Sequence, residues 1–213
     1  MAIPKPKPSL SKELFLNERI EVMKVVGISG SSRKNGNTAI IIKTIFEELS
    51  KVGIETEVIQ LADIDIQPCR ACFACKGKKN CVFRGDGFND VFNRMVEADG
   101  IILGSPVYSA DVSSKMKAFL DRGGVVVATN PELLKHKVGA SVAAVRRAGG
   151  MTAVDAMNHF MLNKEMIVVG STYWNMVYGK EIGDVLNDEE GMENMRNLGQ
   201  NMTWLLKRLD KQG

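Results

Sequence analysis

The chain has 213 residues, of which 45% are hydrophobic, so it suits one medium-sized domain with a single core. Its 28 lysines and arginines nearly balance 25 aspartates and glutamates, and a formal charge of +3 does not indicate a nucleic-acid partner. No apolar run approaches the roughly 18 residues that a membrane span needs, and the N-terminal segment has no continuous apolar stretch of signal-peptide length. We therefore expect a soluble cytoplasmic protein that binds neither nucleic acid nor membrane.

Residues 1–22 are predicted to form an extension that precedes the folded domain. The segment IPKPKP alternates proline with lysine, which favours an extended and solvated backbone. We expect this extension to be flexible or to lie on the surface, and an arm that grips a partner subunit is the alternative. The domain is predicted to span residues 23–213.

Short apolar runs alternate five times with amphipathic segments along the domain. The predicted strands are 24–28, 54–61, 99–105, 137–145 and 166–172. The predicted helices are 38–53, 88–98, 114–122, 151–163 and 188–209. Asn37 or Thr38 can cap the first helix, and Gly53 can end it. Because the strands are short and lack period-2 alternation, they predict a parallel sheet that helices cover on both faces.

Right-handed crossovers between such strands give an α/β fold, a doubly wound five-stranded parallel sheet sandwiched by helices. Ligands of these sheets bind at the carboxyl ends of the strands, near the point where the strand order reverses. Three loops that leave strand ends carry unusual residues, namely 29–38, 105–110 and 146–150. We expect the functional site at these loops.

The first loop, SGSSRKNGNT, follows a strand and opens a helix. Its glycines allow a tight turn, and the hydroxyls of Ser31, Ser32 and Thr38 can donate to phosphate oxygens. The start of the helix adds partial positive charge. The loop lacks both the Gly-Lys-Ser/Thr ending of a nucleoside-triphosphate loop and the Gly-x-Gly-x-x-Gly spacing. Hydroxyl-rich loops of this kind suit a terminal phosphate monoester, which has three free oxygens to satisfy.

All four cysteines lie in one short stretch, PCRACFACKGKKNC, as Cys69, Cys72, Cys75 and Cys81. A disulfide framework would spread its cysteines along the chain, so this clustering indicates metal ligands. Structural zinc sites commonly split into two pairs of cysteines, whereas this serial layout is typical of a single iron–sulfur cubane. A [4Fe–4S] cluster is the favoured prediction, and zinc or free thiols are the alternatives.

Three segments together resemble the NADPH-dependent FMN reductase family, which has a flavodoxin-like fold. GSSRKNGNT resembles its phosphate loop, GSPVYSADVSSKMKAFLDR its second flavin loop and RRAGGMTAV its third. The cysteine segment, inserted at about 67–86, is similar to that of the iron–sulfur flavoprotein subgroup, whose motif is C-x2-C-x2-C followed by a fourth cysteine. The resemblance covers roughly residues 23–208.

The resemblance implies a set of FMN-binding residues in the three loops. In the phosphate loop these are Ser31, Ser32, Arg33, Gly36, Asn37 and Thr38. Against the flavin ring they are Pro106, Val107, Tyr108, Ser109, Arg147, Gly149 and Gly150. No catalytic side chain is implied, because N5 of the flavin carries the chemistry.

The function implied by the resemblance is that of an FMN-dependent oxidoreductase and electron-transfer iron–sulfur flavoprotein. Electrons would pass between a reduced carrier (ferredoxin or NAD(P)H), a [4Fe–4S] cluster and FMN, and on to a small acceptor. The resemblance also implies a homodimer or homotetramer. One alternative is an NAD(P)H-dependent FMN or quinone reductase whose cysteine loop is vestigial or binds zinc, and another is a flavin-binding redox sensor without turnover.

Two further features carry hypotheses. The cysteine loop holds five basic residues against one acidic residue, Asp86, which would steer an acidic electron carrier such as a ferredoxin. The basic residues are Arg70, Lys76, Lys78, Lys79 and Arg84. Trp174, which follows the fifth predicted strand, is expected to pack in the core or at a subunit interface, with a flavin-edge contact as the second interpretation.

Overall fold

A computed structural model of the chain describes residues 22–210. The strands are β1 (Lys24–Ser29), β2 (Glu55–Gln60), β3 (Gly100–Pro106), β4 (Val138–Val145), β5 (Ile167–Val168) and β6 (Met176–Tyr178). The helices are α1 (Asn37–Ser50), α2 (Phe88–Glu97), α3 (Ser114–Thr129), α4 (Gly150–Leu162) and α5 (Glu189–Asp210). Short 3₁₀ segments lie at Leu61–Asp63 and Asp184–Asn187. The predicted extension falls almost entirely outside the described residues.

The strands form one parallel sheet in the order β2-β1-β3-β4-β5. This order is that of the flavodoxin-like doubly wound fold, so the predicted fold class is confirmed. Strand β1 lies between β2 and β3, with Ile28 opposite Ile59 on one side and Leu103 on the other. The reversal of strand order at β1 and β3 brings the loops after these two strands to the same edge of the sheet.

The last predicted strand, 166–172, is wrong in its extent. Strand β5 has only two residues and pairs with Val138 and Gly139 at the start of β4, whereas β6 pairs with the end of β4 at 143–145. Val169 and Asn175 still hydrogen-bond to β4, but residues 170–174 leave the sheet, so two short strands take the place predicted for one. The run Met166–Thr172 is apolar only in its first half, and polar residues follow it.

The helices cover the two faces of the sheet, as the absence of alternation in the strands predicts. Helices α1 and α5 pack on one face, around Ile41, Ile45 and Met195. Helices α2, α3 and α4 pack on the other face, around Phe88, Phe119 and Met157. Within residues 22–210, no helix combines the length and the apolar character that crossing a membrane requires.

Helix α3 continues seven residues beyond its predicted end at residue 122. Two glycines and three β-branched valines follow Arg122, and both residue types have low helix propensity. Val126 and Val127 are buried in the core against the cysteine side of the sheet, so tertiary packing outweighs the local preference. The extension brings Thr129 and the C-cap Asn130 into contact with Cys75.

Candidate functional site

Hydrogen bonds join the loops after β1 and β3. The amide of Gly30 donates to the carbonyl of Gly104 at 2.8 Å, and the hydroxyl of Ser113 donates to the carbonyl of Gly30 at 2.6 Å. The amide of Ser113 in turn donates to Ser105 Oγ at 2.9 Å. Two of the predicted site loops therefore meet at the start of α3.

Helix α1 presents free donors to this edge of the sheet. It begins at Asn37, and Gly36 is the N-cap, so the predicted capping by Asn37 or Thr38 is wrong. The amides of Ala39 and Ile40 bond to the carbonyl of Gly36, whereas those of Asn37 and Thr38 have no partner within residues 22–210. No acidic residue lies in the first turn of α1, nor of α3 or α4, so the positive ends of these helix dipoles are not neutralised there.

Two hydroxyls beside this helix start are buried and lack a hydrogen-bond partner in the described structure. They are Thr38 Oγ1 in the first turn of α1 and Ser29 Oγ at the end of β1. Burying a hydroxyl without a partner costs free energy, so native structures rarely keep such groups. A helix start with unpaired backbone amides, no acidic residue and an unpaired hydroxyl is suited to binding a phosphate monoester.

The side chains of the other predicted phosphate ligands are partly engaged elsewhere. Ser31 Oγ accepts from the amide of Arg33 at 3.0 Å. The Arg33 guanidinium donates to the carbonyl of Lys180. The side-chain amide of Asn37 donates to the carbonyl of Glu181 and accepts from the backbone amide of Gly183. Ser32 is exposed, and Gly36 lies close enough to Arg33 that a Cβ there would crowd it. The loop is thus anchored to the segment that follows β6.

Lys34, the other basic residue of this loop, forms a salt bridge with Asp63. Lys34 Nζ lies 2.7 Å from Asp63 Oδ2 in the 3₁₀ segment after β2. The hydrogen bond between them raises the pKa of Lys34 and lowers the pKa of Asp63. Because both side chains are exposed, this pair directs Lys34 toward Asp63 and adds little stability.

The second loop forms a tight turn at the end of β3. Tyr108 and Asp111 exchange backbone hydrogen bonds of 2.9 and 3.0 Å, and Ser109 and Ala110 between them have φ angles of 50° and 60°. This turn leaves the Tyr108 ring 44% exposed. Pro106 and Val107 lie at its base, where the Val107 amide bonds to the carbonyl of Ala144 on β4.

The third loop packs directly against the second. Gly149 has a φ of 82°, and a Cβ at this position would lie 2.8 Å from the Ala110 Cα and 3.1 Å from Val107. A side chain there would be strained and would also separate the two loops. Gly150 starts α4, and Arg147 is exposed beside it. All three predicted flavin loops thus lie at one edge of the sheet.

The segment between β5 and β6 exposes two aromatic side chains at this edge. The rings of Tyr173 and Trp174 are tilted against each other with centroids 5.9 Å apart, and Trp174 is 56% exposed. The predicted core packing of Trp174 is therefore wrong. The two rings line a cavity of about 500 Å³ that also reaches Gly149 and Gly150.

The four cysteines line a second, separate cavity. Cys75 is buried, Cys69 and Cys81 are partly buried and Cys72 is exposed, and none is in a disulfide. The remaining wall is apolar, with two arginines at its edge. The lining residues besides the cysteines are Pro68, Arg70, Phe73, Val82, Phe83, Arg122, Val125 and Val126.

Three of the four sulfurs already take part in hydrogen bonds. The amide of Ala71 donates to Cys69 Sγ at 3.4 Å, and Cys75 Sγ lies 3.3 Å from Thr129 Oγ1. The Arg122 guanidinium donates through Nε to Cys81 Sγ at 3.2 Å. Thiolate ligands of iron–sulfur clusters accept hydrogen bonds of this kind, and these bonds tune the potential of the centre.

Buried polar side chains hold the cysteine loop against α2 and α3. Asn130 donates to the carbonyl of Cys75 at 3.0 Å and accepts from the amide of Lys79 at 2.9 Å. Asn89 on α2 accepts from the amide of Cys81 and donates to its carbonyl. These contacts hold the loop in place at both ends of the segment between Cys75 and Cys81.

Arg122 and Asp86 form a buried ion pair beside the last cysteine. Arg122 Nη1 lies 2.5 Å from Asp86 Oδ2, and the two side chains are only 3% and 0% exposed. Burial alone would raise the pKa of Asp86, but hydrogen bonds from Arg122 and from two backbone amides hold it below its ordinary value. Burial likewise opposes the charge on Arg122, but its bonds to Asp86 and Cys81 raise its pKa.

The donor set of this cavity, four thiols with an apolar wall, has the chemistry of an iron–sulfur site, and the cavity between them measures about 30 Å³. No three His, Cys, Asp or Glu residues within residues 22–210 are placed to hold a single metal ion. The four cysteines nevertheless line one cavity, with apolar walls and donors to their sulfurs. A four-iron centre binds each thiolate to a different iron, so its ligands stand farther apart than the four ligands of one zinc ion.

The sequence interpretation missed the residues that anchor the cysteine loop, above all Arg122, Asn89 and Asn130. The signal for Arg122 lies in its spacing, because it follows the buried Phe119 by three residues and therefore shares its helix face. A charged residue on a buried face needs a partner, which predicts an acidic or acceptor group nearby. The identity of that partner is not encoded locally.

Comparisons with known proteins agree with this geometry. A family model described as NADPH-dependent FMN reductase matches residues 23–181, which include all three loops and the four cysteines. An iron-sulfur flavoprotein of Methanocaldococcus jannaschii is 40% identical over 196 residues, covering 89% of this chain and 100% of its own. An iron-sulfur flavoprotein of Methanosarcina thermophila is 37% identical and covers 70% and 78%. A solved flavodoxin from the domain Archaea superposes with a TM-score of 0.58 at 18% identity, covering 87% and 99%.

Proposed function

Because this chain belongs to the iron–sulfur flavoprotein subgroup of the NADPH-dependent FMN reductase family and is an FMN-dependent oxidoreductase, we propose that it also carries a [4Fe–4S] cluster. In the proposed function, electrons pass between a reduced carrier, the cluster and FMN, and then to a small acceptor. Ferredoxin is the proposed carrier. The arrangement of Cys69, Cys72, Cys75 and Cys81 around one cavity is the observation that carries the proposal.

The chain's own residues hold the flavin. We assign the phosphate to the amides of Asn37 and Thr38 and to the unpartnered Thr38 hydroxyl, with Ser31 and Gly36 shaping the turn. The flavin, when bound, supplies the N5 atom that accepts and gives electrons. The proposed role of the turn at Tyr108 and of the loop at Gly149 is to hold the ring between them, since both lie at the edge where α1 begins.

The four cysteines hold the proposed cluster, which supplies one-electron transfer when bound. Support comes from the N–H groups that donate to the sulfurs of Cys69 and Cys81, from the apolar wall and from the names of the two iron-sulfur flavoproteins that this chain resembles. The exposed Cys72 marks the side at which the cavity opens to solvent. We place the docking site of the carrier on that side.

Two partner assignments belong to this proposal. The exposed lysines of the cysteine loop, Lys76 and Lys78, attract an acidic carrier. We also propose that the chain assembles as a homodimer or homotetramer, and the exposed Tyr173 and Trp174 beside the flavin loops suit a subunit contact.

A second candidate function is that of a plain NAD(P)H-dependent FMN reductase. The description of the matching family, which names NADPH as the reductant, favours it. In that case the cysteine loop takes no part in reducing the flavin. The two functions differ in which donor reduces the bound FMN and in whether the cysteines are needed.

The test compares the anaerobically prepared wild-type chain with Cys72→Ala. Because the Cys72 side chain is exposed, its truncation should leave the fold and the FMN site intact. We expect the variant to bind FMN as the wild type does, to lose cluster absorbance and to lose at least tenfold in the rate at which reduced ferredoxin bleaches the flavin. Stopped-flow absorbance with ferredoxin and with NADPH as separate donors measures both rates.

Ala74→Ser, an exposed change in the same loop that removes neither a sulfur nor a charge, is the matched control and should keep the cluster and the rate with ferredoxin. If Cys72→Ala and wild type are reduced equally fast by NADPH, and neither by ferredoxin, the plain reductase is the correct function. Loss of FMN together with the cluster would mean that the cysteine loop serves the flavin site structurally.

A further inference from the structure

The Arg122 guanidinium donates four hydrogen bonds beside a cysteine. Its Nη1 donates to Asp86 Oδ2 at 2.5 Å and to the carbonyl of Gln67 at 3.3 Å, and its Nη2 donates to the carbonyl of Phe83 at 3.0 Å. Its Nε donates to Cys81 Sγ at 3.2 Å. Each of the three nitrogens therefore has an acceptor, and only one of the four acceptors is a sulfur.

Aromatic rings fix the plane of this guanidinium. The Arg122 Cζ lies 4.3 Å from the centroid of Phe88 and 5.3 Å from that of Phe83. Phe88 is fully buried at the start of α2, so the arginine is held between α2 and the cysteine loop. Such stacking orients the Nε–H bond toward Cys81 and prevents the guanidinium from turning away.

This arrangement exceeds what anchoring the loop requires. Asp86 and the two carbonyls satisfy the charge and the terminal nitrogens, and Asn89 already holds the backbone of Cys81. A buried ion pair is itself a poor source of stability. The pair holds a positive charge and an N–H donor next to the Cys81 sulfur. Because both side chains are almost completely buried, electrostatic interactions there are strong.

We infer that Arg122 is the positioning residue that sets the reduction potential of the centre held by Cys81, with Asp86 and the two phenylalanine rings fixing its orientation. This inference rests on the proposed function. Reduction adds one electron and no proton, so the added negative charge is compensated by the N–H and the charge of Arg122. Donors to ligand sulfurs stabilise the reduced form and raise the potential.

Lysine at this position separates the hydrogen bond from the charge. In Arg122→Lys the ammonium can still pair with Asp86. Its single nitrogen cannot at the same time reach the Phe83 carbonyl and Cys81 Sγ, which the arginine contacts through separate nitrogens. We expect the reduction equilibrium of the cluster to become about tenfold less favourable, which is a shift of about 59 mV for a one-electron couple. A potentiometric titration followed by electron paramagnetic resonance measures it.

Arg70→Lys is the matched control. Arg70 lines the same cavity and stacks on the same Phe83 ring at 4.4 Å. No hydrogen bond joins it to a sulfur within residues 22–210. We expect its substitution to change the reduction equilibrium by less than about twofold, although it alters the charge distribution around the cavity in the same way.

A second measurement needs no change at residue 122 and covers the case in which Arg122→Lys does not fold. In the reduced holoprotein grown with ¹⁵N-labelled arginine, pulsed electron paramagnetic resonance should detect a ¹⁵N coupling to the cluster that persists in Arg70→Lys. A cluster-loaded chain without that coupling, or an unshifted potential in Arg122→Lys, overturns the inference. A wild-type chain that takes up no iron and sulfide overturns the proposed function and this inference with it.

Discussion

Thr38 carries a buried polar group that ordinary packing would pair. Its side chain is 1% exposed, and its hydroxyl has no partner in the described structure. It stands in the first turn of a helix whose leading amides are also free. Under the proposed assignment of this hydroxyl to the FMN phosphate, the bound anion supplies the missing partner, so Thr38 couples stability to ligand binding.

Thr38→Val removes the hydroxyl and keeps the shape of the side chain. A hydrogen bond to a charged group contributes about 1.5–3 kcal/mol, so we expect FMN to bind about 10- to 150-fold more weakly. The FMN-free variant should unfold at the same temperature as wild type or higher, because valine leaves no unpaired polar group. Fluorescence titration with FMN and thermal unfolding of the apoprotein measure the two effects.

Thr44→Val is the control on the same helix. The Thr44 hydroxyl donates to the carbonyl of Ile40 at 3.2 Å. Thr44 lies about two turns after the start of α1 at Asn37. Its loss should leave FMN affinity unchanged. If Thr38→Val bound FMN as tightly as wild type, the assignment of this hydroxyl to the phosphate would be wrong.

The sequence predicts single residues well where the signal is local. The hydroxyls of the first loop and the four cysteines are recognisable because short spacing brings them together whatever the rest of the fold does. Arg122 reaches Cys81 across 41 residues of sequence, and Asn37 reaches Gly183 across 146. These contacts depend on how α3 and the segment after β6 dock, which no local pattern encodes.

At the scale of elements, the cysteine loop (67–86) presents a basic surface, because its one acidic side chain, Asp86, is buried. Asp86 is buried against Arg122, so it does not offset the exposed lysines. Lys76, Lys78 and Lys79 remain exposed on the loop. A positive field at the open side of the cysteine cavity favours encounter with an acidic carrier.

Reversing two of these charges tests the docking role of the loop. We expect Lys76→Glu/Lys78→Glu to lower the rate of reduction by ferredoxin by about tenfold at low ionic strength and to weaken its dependence on salt, because electrostatic steering is screened by ions. Stopped-flow measurements across a series of salt concentrations give both quantities.

Lys43→Glu/Lys207→Glu makes the same change in net charge on α1 and α5. These helices cover the opposite face of the sheet, and both lysines are exposed. This control should leave the rate with ferredoxin near that of wild type. An equal loss in both double variants would show that overall charge, and not the cysteine loop, governs the encounter.

Predicting the elements from sequence succeeds where periodicity and burial agree. Strands β1, β3 and β4 are buried and largely apolar, whereas β2 is partly buried and mixed in polarity, and the limits of all four lie within about one residue of the expected ones. The split between β5 and β6 and the extension of α3 follow from pairing with β4 and from burial of Val126. Both are decided by tertiary packing, which overrides local propensity.

In the molecule as a whole, α3 connects the two candidate cofactor sites. Its N-cap, Ser113, bonds to the carbonyl of Gly30 in the phosphate loop, and Arg122 bonds to Cys81. Nine residues of helix separate these two contacts, a rise of about 14 Å. One helix therefore contacts both candidate sites, the phosphate loop at its N-cap and the cysteine loop nine residues further along.

The central claim, that one chain binds both FMN and a [4Fe–4S] cluster, is tested most directly by composition. The full-length protein is purified without oxygen, supplied with FMN, iron and sulfide, and freed of unbound material before iron, sulfide, zinc and flavin are counted per chain. We predict one FMN with about four iron atoms and four sulfides. Flavin bound at one per chain with no iron or sulfide above background, or with zinc in their place, would contradict the claim.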